Sequence, residues 1–308
     1  PTRRSSDLGI RYSPFFCFSP KYWKKVCCPS RKVRQQQMIL NQLSEGNMEN
    51  TLSTDSVKQE AEKVMANDRN LVESRGLRII GLNKIYRSSI FGRSSNNDIH
   101  AVKDIYLEVE EGELLSLLGH NGAGKTTLIS VLTGLFPPTS GRAEICGLDI
   151  EQDIYELRQL IGVCPQFDIV WDELTAEEHL YMFAKLKHID EAKIEKEINK
   201  RLREVNLADW KKALVSTFSG GMRRRISMAI SFLGDPRIVF LDEPTTGMDP
   251  KNRRYIWELI QSMKAGRVVI LTTHAMEEAD ILSDRIAVIS DGSLKCIGTP
   301  LFLKNNIL

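Results

Sequence analysis

Gly119-His120-Asn121-Gly122-Ala123-Gly124-Lys125-Thr126 stands between a short apolar run, Leu114–Leu118, and a stretch of helical character from Lys125 to about Leu135, which Pro137-Pro138 stops. The pattern is GxxxxGK followed by Ser or Thr, and its placement after a strand and at a helix start is that of a phosphate-binding loop. Glycines let backbone N–H groups converge on phosphate oxygens, and the helix N-terminus adds positive potential. The spacing carries Lys125 to the β- and γ-phosphates of a nucleotide and the Thr126 hydroxyl to Mg²⁺. Gly119, Asn121, Gly122, Ala123, Gly124 and Thr127 complete the candidate cradle. A plain glycine turn before a helix is the bland alternative, and the strand–loop–helix context weighs against it.

Further along, the apolar run Ile238-Val239-Phe240-Leu241 ends in Asp242-Glu243. A buried strand that delivers a carboxylate beside a phosphate loop is the Walker B arrangement. It assigns Asp242 to Mg²⁺, through water. It assigns Glu243 to the water that attacks the γ-phosphate, as orienting group and base. Acid pairs at strand ends are often structural, but beside a phosphate loop this pair reads as the site of a nucleoside triphosphatase.

The surrounding pattern sets the fold class. Leu77–Ile85 and Ala101–Val109 read as strands, and a compact domain starts near Leu77. Leu160–Val163 is another short strand, and Arg237–Leu241, Val268–Thr272 and Arg285–Ile289 are continuous apolar runs of the buried parallel type. Residues from about 176 to 231 are mostly helical; Ile194, Ile198, Leu202 and Val205 fall on one face of Ala192–Asn206. Strands alternating with helices imply an α/β domain with a mainly parallel central sheet.

Composition narrows the partners. The 308 residues hold 42 Lys+Arg against 40 Asp+Glu, a net charge of +2, which argues against a generally basic nucleic-acid binder. Hydrophobic content of 42% and charged content of 27% are those of a globular protein. No run of 18 apolar residues and no secretory signal occurs. Cysteines 17, 27, 28, 146, 164 and 296 form no paired CxxC elements, so no zinc site is expected, and Cys146, Cys164 and Cys296 read as free buried thiols.

The N-terminal part reads differently. The chain starts at Pro1 without Met, and residues 1–8 can be encoded by the end of a common sequencing adapter; they read as an assembly scar on a cut end, with a disordered basic tail as the bland alternative. Leu308 reads as a second cut. Residues 9–36 carry Arg11, Lys21, Lys24, Lys25, Arg31, Lys32 and Arg34, no acid, and interleaved aromatics such as Tyr12, Phe16 and Trp23. That composition suits a membrane–water interface, an RNA contact or a solvated linker. Residues 37–76 are polar with alternating charge and read as a flexible linker, with one loose helix around Val57–Met65.

Further motifs lie between and beyond the first two. Phe218-Ser219-Gly220-Gly221-Met222 opens a helix and makes a second anion site. It resembles the signature motif of ATP-binding-cassette (ABC) proteins. Gln166 in Cys164-Pro165-Gln166-Phe167 resembles the family's Q-loop, Gly247-Met248-Asp249 its D-loop, His274 its switch histidine, and Tyr86 the aromatic that stacks on adenine. The elements occur in the family's order and cover Leu77 to about Leu303. Gly-His-Asn-Gly in the phosphate loop, Phe136-Pro137-Pro138-Thr139-Ser140-Gly141, Glu173-Leu174-Thr175-Ala176-Glu177-Glu178-His179 and Ser-Gly-Gly-Met narrow the resemblance to the A subfamily of lipid exporters. His120 favours the first of its two nucleotide-binding domains.

The resemblance implies a P-loop NTPase (RecA-like) core in residues 77–308, with an antiparallel β subdomain and an inserted helical subdomain at about 176–231. It implies ATP and Mg²⁺ as ligands, and ATP hydrolysis by Glu243, His274, Gln166 and Lys125, with Thr126, Gln166 and Asp242 at the metal. It implies a second nucleotide-binding domain whose ATP is capped by the signature, with Ser219 at the γ-phosphate, and it counts Gly220, Gly221 and Asp249 among the nucleotide-binding residues. It also implies membrane domains that this domain serves from the cytoplasmic face. It favours the membrane-surface reading of residues 9–36 over nucleic acid. Met222 and Phe218 depart from the usual Gln and Leu of the signature, so no role is carried over to Met222. The stretch from Lys125 to Ser219 is too short for the coiled coil of the DNA-repair members. Ribosome-acting members pair two cassettes in a soluble chain, against which residues 9–36 speak. A regulatory module that binds ATP without hydrolysis is opposed by the intact Asp242, Glu243 and His274.

Overall fold

The computed structural model describes residues 51–69, 76–87, 89–90, 93–94 and 98–306. Residues 1–8 and 9–36, read above as scar and membrane-proximal segment, lie outside the described residues, as do 37–50 and 70–75 of the expected linker.

The chain opens with helix α1 (Thr51–Arg69), strand β1 (Leu77–Tyr86), a two-strand ribbon of β2 (Ser89–Ile90) and β3 (Arg93–Ser94), and β4 (Ile99–Val109). Next come β5 (Leu114–Leu118), α2 (Lys125–Leu132), β6 (Ser140–Ile145), β7 (Leu148–Asp149), α3 (Ile154–Leu160) and β8 (Ile161–Cys164). A helical insertion follows: α4 (Ala176–Leu186), α5 (Glu191–Glu204) and α6 (Gly220–Ser231). The chain closes with β9 (Ile238–Asp242), α7 (Pro250–Met263), β10 (Val268–Thr273), α8 (Met276–Leu282), β11 (Arg285–Ser290), β12 (Ser293–Gly298) and α9 (Pro300–Asn306).

Six strands form the central sheet in the order β12-β11-β5-β10-β9-β8, all parallel except β12. A four-stranded antiparallel sheet has the order β4-β1-β6-β7. The expected P-loop NTPase architecture is therefore present: a mainly parallel core, an antiparallel β subdomain and an inserted helical layer.

The apolar runs are continuous because both faces of the core sheet are covered. On β9, Ile238 and Phe240 join one core, and Val239 and Leu241 the other. On β10, Val268 and Ile270 divide from Val269 and Leu271 in the same way. The first core holds Leu128 and Leu132 of α2 together with Leu77, Ile79 and Leu107 of the antiparallel sheet. The second holds Leu180, Ile194, Ile198, Leu202 and Phe232 of the helical layer. Each such side chain contributes about 1.5–3 kcal/mol by leaving water.

Helix ends follow local chemistry. Thr175 and Glu178 make a reciprocal capping box at α4, and Asp190 accepts the Ala192 N–H at α5. Helix α2 ends at Leu132, before the expected Leu135. Gly134 has φ +68, and Leu135 N donates to Ser130 O while Gly134 N donates to Val131 O, which closes a Schellman turn.

One expectation is corrected. Residues 51–69 are not flexible linker: α1 packs across β12, β4 and β1. Val64 is fully buried, and Glu60 is buried with its carboxylate on Arg285 Nη2 (2.6 Å) and on the Glu108 N–H (3.0 Å). Asn67 donates to Glu108 (2.6 Å), and Arg142 pairs with Asp68. Few apolar residues mark this helix, so its docking relies on polar partners far away in sequence. Among the described residues no helix is long and apolar enough to cross a membrane.

Val64→Asp places a carboxylate at a position with no water. Its desolvation costs more than one helix face supplies. Hydrogen exchange is expected to rise at least about tenfold across residues 51–69, while β5, β9 and β10 stay protected. Unchanged exchange in α1 would show that this face does not hold the helix.

Candidate active site

Every element of the site sits at the C-terminal edge of adjacent strands. β5 leads into the phosphate loop, β8 into Gln166, β9 into Glu243 and β10 into His274. The register pairs Thr273 with Leu118, Thr272 with Asp242 and Leu241 with Cys164. Loops from four neighbouring strands are thus delivered to one place.

The phosphate loop wraps the N-terminus of α2. Gly124 has φ +104, and a Cβ there would stand 2.3 Å from Ala101 O, so only glycine fits. Lys125 is buried, and its Nζ donates to Gly119 O (2.8 Å) and His120 O (3.1 Å) across the loop. Burial lowers its ammonium from the ordinary lysine range, against the pull of Glu243 and Asp242. Ala123 is buried under the loop; Asn121 and Gly122 are exposed, and Thr127 lies one residue further into α2 than Thr126.

Thr126 Oγ1 donates to Asp242 Oδ2 (3.1 Å). These are hard oxygen donors with no thiolate or imidazole between them, the set Mg²⁺ prefers. Mg²⁺ is commonly held by one or two protein oxygens plus phosphate and water, so the pair fits that ion. Among the described residues no group of three His, Cys, Asp or Glu is gathered to hold a metal by itself.

Glu243 is the meeting point. Its Oε2 accepts from Gln166 Nε2 (3.3 Å) and Thr246 Oγ1 (3.0 Å) and lies 3.3 Å from His274 Nδ1. Burial acting alone raises a carboxyl, but His274, Thr246 and Lys125 outweigh it and hold Glu243 below the ordinary glutamate range. The side chain is therefore an ionised acceptor at neutral pH.

Two hydroxyls that sequence reasoning missed complete this arrangement. Thr246 touches Glu243 directly. Thr272, fully buried, donates to Asp242 Oδ1 and accepts from the Glu243 N–H (3.0 Å), so one hydroxyl fixes both acids. Its only sequence signal is its place two residues before His274.

The remaining candidates lie elsewhere. Ser219 caps α6 by accepting from Met222 N (3.3 Å), with Gly220 and Gly221 in the first turn. Asp249 caps α7 through the Asn252 N–H (3.2 Å) and side chain (2.6 Å). A Cβ on Gly221 would come 3.0 Å from that Asn252 side chain, so the two caps are neighbours. Among the described residues neither cap is hydrogen-bonded to the phosphate loop. Tyr86 meets Phe136 edge-on (centroids 6.1 Å apart, 87°), with Lys84 over both rings.

The chain is similar to known proteins in sequence and fold. A family model described as ABC transporter matches residues 102–246. Over 96% of its length the chain is 43% identical to ABC transporter A family member 2 of Arabidopsis thaliana, and it spans 31% of that protein. Over 97% of its length it is 41% identical to the phospholipid-transporting ATPase ABCA3 of Homo sapiens, and it spans 16% of that protein. The structure of cbiO1 from Clostridium perfringens, part of the ABC transporter complex cbiONQ, superposes with a TM-score of 0.66 at 25% identity, over 76% of this chain and 93% of that one.

The fold and the matched family define the class: the chain carries the ATP-binding domain of an ABC transporter. More narrowly, its relatives are members of the A subfamily of those transporters.

Thr272→Val keeps the branched shape that β10 needs and removes the shared hydroxyl. Losing a hydrogen bond to a charged group costs about 1.5–3 kcal/mol. The Mg²⁺-dependent part of ATP affinity is therefore expected to fall about tenfold, read by nucleotide titration with and without the metal. An unchanged metal effect would show that Asp242 is oriented without Thr272.

Proposed function

We propose that this chain is the ATP-binding and ATP-hydrolysing domain of an A-subfamily ABC transporter, the first of two such domains, and that it powers transmembrane transport of lipid. The convergence of Gln166, Thr246 and His274 on one oxygen of an ionised Glu243, beside the Lys125 loop and the Thr126–Asp242 pair, is the observation that carries the reading. The lipid assignment is supported by the name of the human relative and by the A-subfamily motifs.

ATP binds through the phosphate loop, with Gly119, Asn121, Gly122, Ala123, Gly124 and Thr127 around the phosphates and Tyr86 against the adenine. Lys125 exchanges its two carbonyl partners for β- and γ-phosphate oxygens, which favours its charged form. Mg²⁺, when bound, neutralises phosphate charge; Thr126, Asp242 and Gln166 would hold it. Glu243 orients the attacking water and takes its proton, His274 fixes the Glu243 carboxylate, and Gln166 reports γ-phosphate occupancy to the membrane domains. Phosphate charge is stabilised by Lys125 and the helix N-terminus rather than by new covalent chemistry.

Ser219, Gly220, Gly221 and Asp249 form a second surface, offered to the ATP of the partner nucleotide-binding domain. The adjacent caps of α6 and α7 support this, because both present helix N-termini beside one another. ATP closes the pair of domains and hydrolysis reopens it, which is the two-state element that drives the membrane helices. Residues 9–36 lie along the cytoplasmic membrane surface in this reading.

Glu243→Gln removes the base and leaves the phosphate loop intact. In the full-length transporter, reconstituted in lipid, ATP binding is expected to persist while turnover falls at least about 100-fold. Undiminished turnover would overturn the role assigned to Glu243.

A further inference from the structure

Arg224 lies one turn into α6 and is 5% exposed. A guanidinium offers donors on all three nitrogens and accepts nothing, so a buried one needs acceptors on every side. Nε of Arg224 donates to Pro244 O (2.8 Å), and Nη2 donates to Asp242 O (3.2 Å) and Glu243 O (3.4 Å). Nη1 donates to Pro165 O (2.6 Å), to Gln166 O (3.5 Å) and to Asp168 Oδ1 (3.1 Å).

The first set is three successive carbonyls at the end of β9. The middle one belongs to Glu243, whose φ is +44. That left-handed conformation is uncommon for a residue with a Cβ and persists only where the surroundings impose it. The second set is the main chain around Gln166, plus a carboxylate just beyond it. One cation therefore grips the backbone beneath both Gln166 and Glu243, whose side chains meet at 3.3 Å.

Its neighbours do different work. Arg223 pairs with Asp172 (2.6 Å). Arg225 donates to Val205 O and Asn206 O (both 3.1 Å) and lies over the Tyr255 ring. Arg223 thus reaches the Gln166 loop only at Asp172, and Arg224 alone of the three bonds to the main chain at both Gln166 and Glu243.

We propose that Arg224 is a positioning residue for ATP hydrolysis. Its planar fork clamps the Asp242–Pro244 turn against the Gln166 loop, and so sets where the Glu243 carboxylate meets the attacking water. Lysine cannot reproduce this, because a single nitrogen cannot reach both sets of carbonyls at once. The proposal rests on Glu243 being the group that receives the proton of the water.

The test is a double-mutant cycle in the full-length transporter. Arg224→Gln and Arg224→Lys are expected to lower kcat for ATP at least about tenfold with KM within about threefold, since Arg224 is buried and its donors are taken up by protein carbonyls and Asp168. In a Glu243→Gln background, Arg224→Gln is expected to change single-turnover hydrolysis by less than about twofold, because the group it positions is already gone. Arg223→Gln, which breaks only the Asp172 pair, is expected to leave kcat within about twofold of the parent.

A kcat within about threefold of the parent in both Arg224 variants overturns the proposal. An equal loss in both backgrounds overturns it as well, because a general structural defect acts regardless of Glu243. Failure of both variants to fold also overturns it and leaves Arg224 a structural residue only. Failure of the Glu243 reading is seen separately, as undiminished turnover in Glu243→Gln alone.

Discussion

A parallel sheet sends the C-terminal end of every strand to the same edge, and it can exist only if both of its faces are covered. Here β8, β9, β10 and β5 are consecutive neighbours, so the loops after them are brought within side-chain reach by backbone pairing alone. The two cores on either side of the sheet secure that pairing. A one-residue slip of β9 against β10 would turn Ile238 and Phe240 to the wrong core and carry Asp242 away from Thr272. Packing and site geometry are therefore one constraint: the alternation that buries the apolar residues is what holds the acids in register.

The site concentrates buried charge, and each charge is matched before any ligand arrives. Lys125 is satisfied by the carbonyls of its own loop, Asp242 by Thr126 and Thr272, and Glu243 by Gln166, Thr246 and His274. An uncompensated buried charge costs several kcal/mol, so these partners offset a large part of the cost of burying the site's charges. A nucleotide then competes for groups already in place rather than ordering free side chains, which reduces the entropy lost on binding. In the proposed reading, nucleotide binding exchanges the partners of Lys125 and Thr126.

What the sequence made legible is what short-range chemistry encodes. The phosphate loop and the acids after an apolar strand are set by neighbours in the chain, so their residues could be named from pattern alone. Thr272 and Arg224 could not, because their roles come from register across β9 and β10 and from the approach of α6 to two loops. Helix α1 was expected only as a loose helix around Val57–Met65, and its docking was missed for the same reason: Glu60 finds Arg285 and Glu108, which only the folded sheet brings to it. Ser219 and Asp249 were legible as residue types, and in one chain the structure assigns them the bland task of capping helices.

That capping task has a consequence for α6. Its first residue follows Ser219, and one turn later Arg224 is locked into the loops of the same domain's site. The intervening backbone is helical, so the surface around Ser219 and the turn at Glu243 are joined through one short helix. A Gly-Gly pair in the first turn leaves the Ser219 end free of side-chain bulk, while burial fixes the Arg224 end. The anchoring of the Arg224 end follows from the acceptors that a buried guanidinium requires.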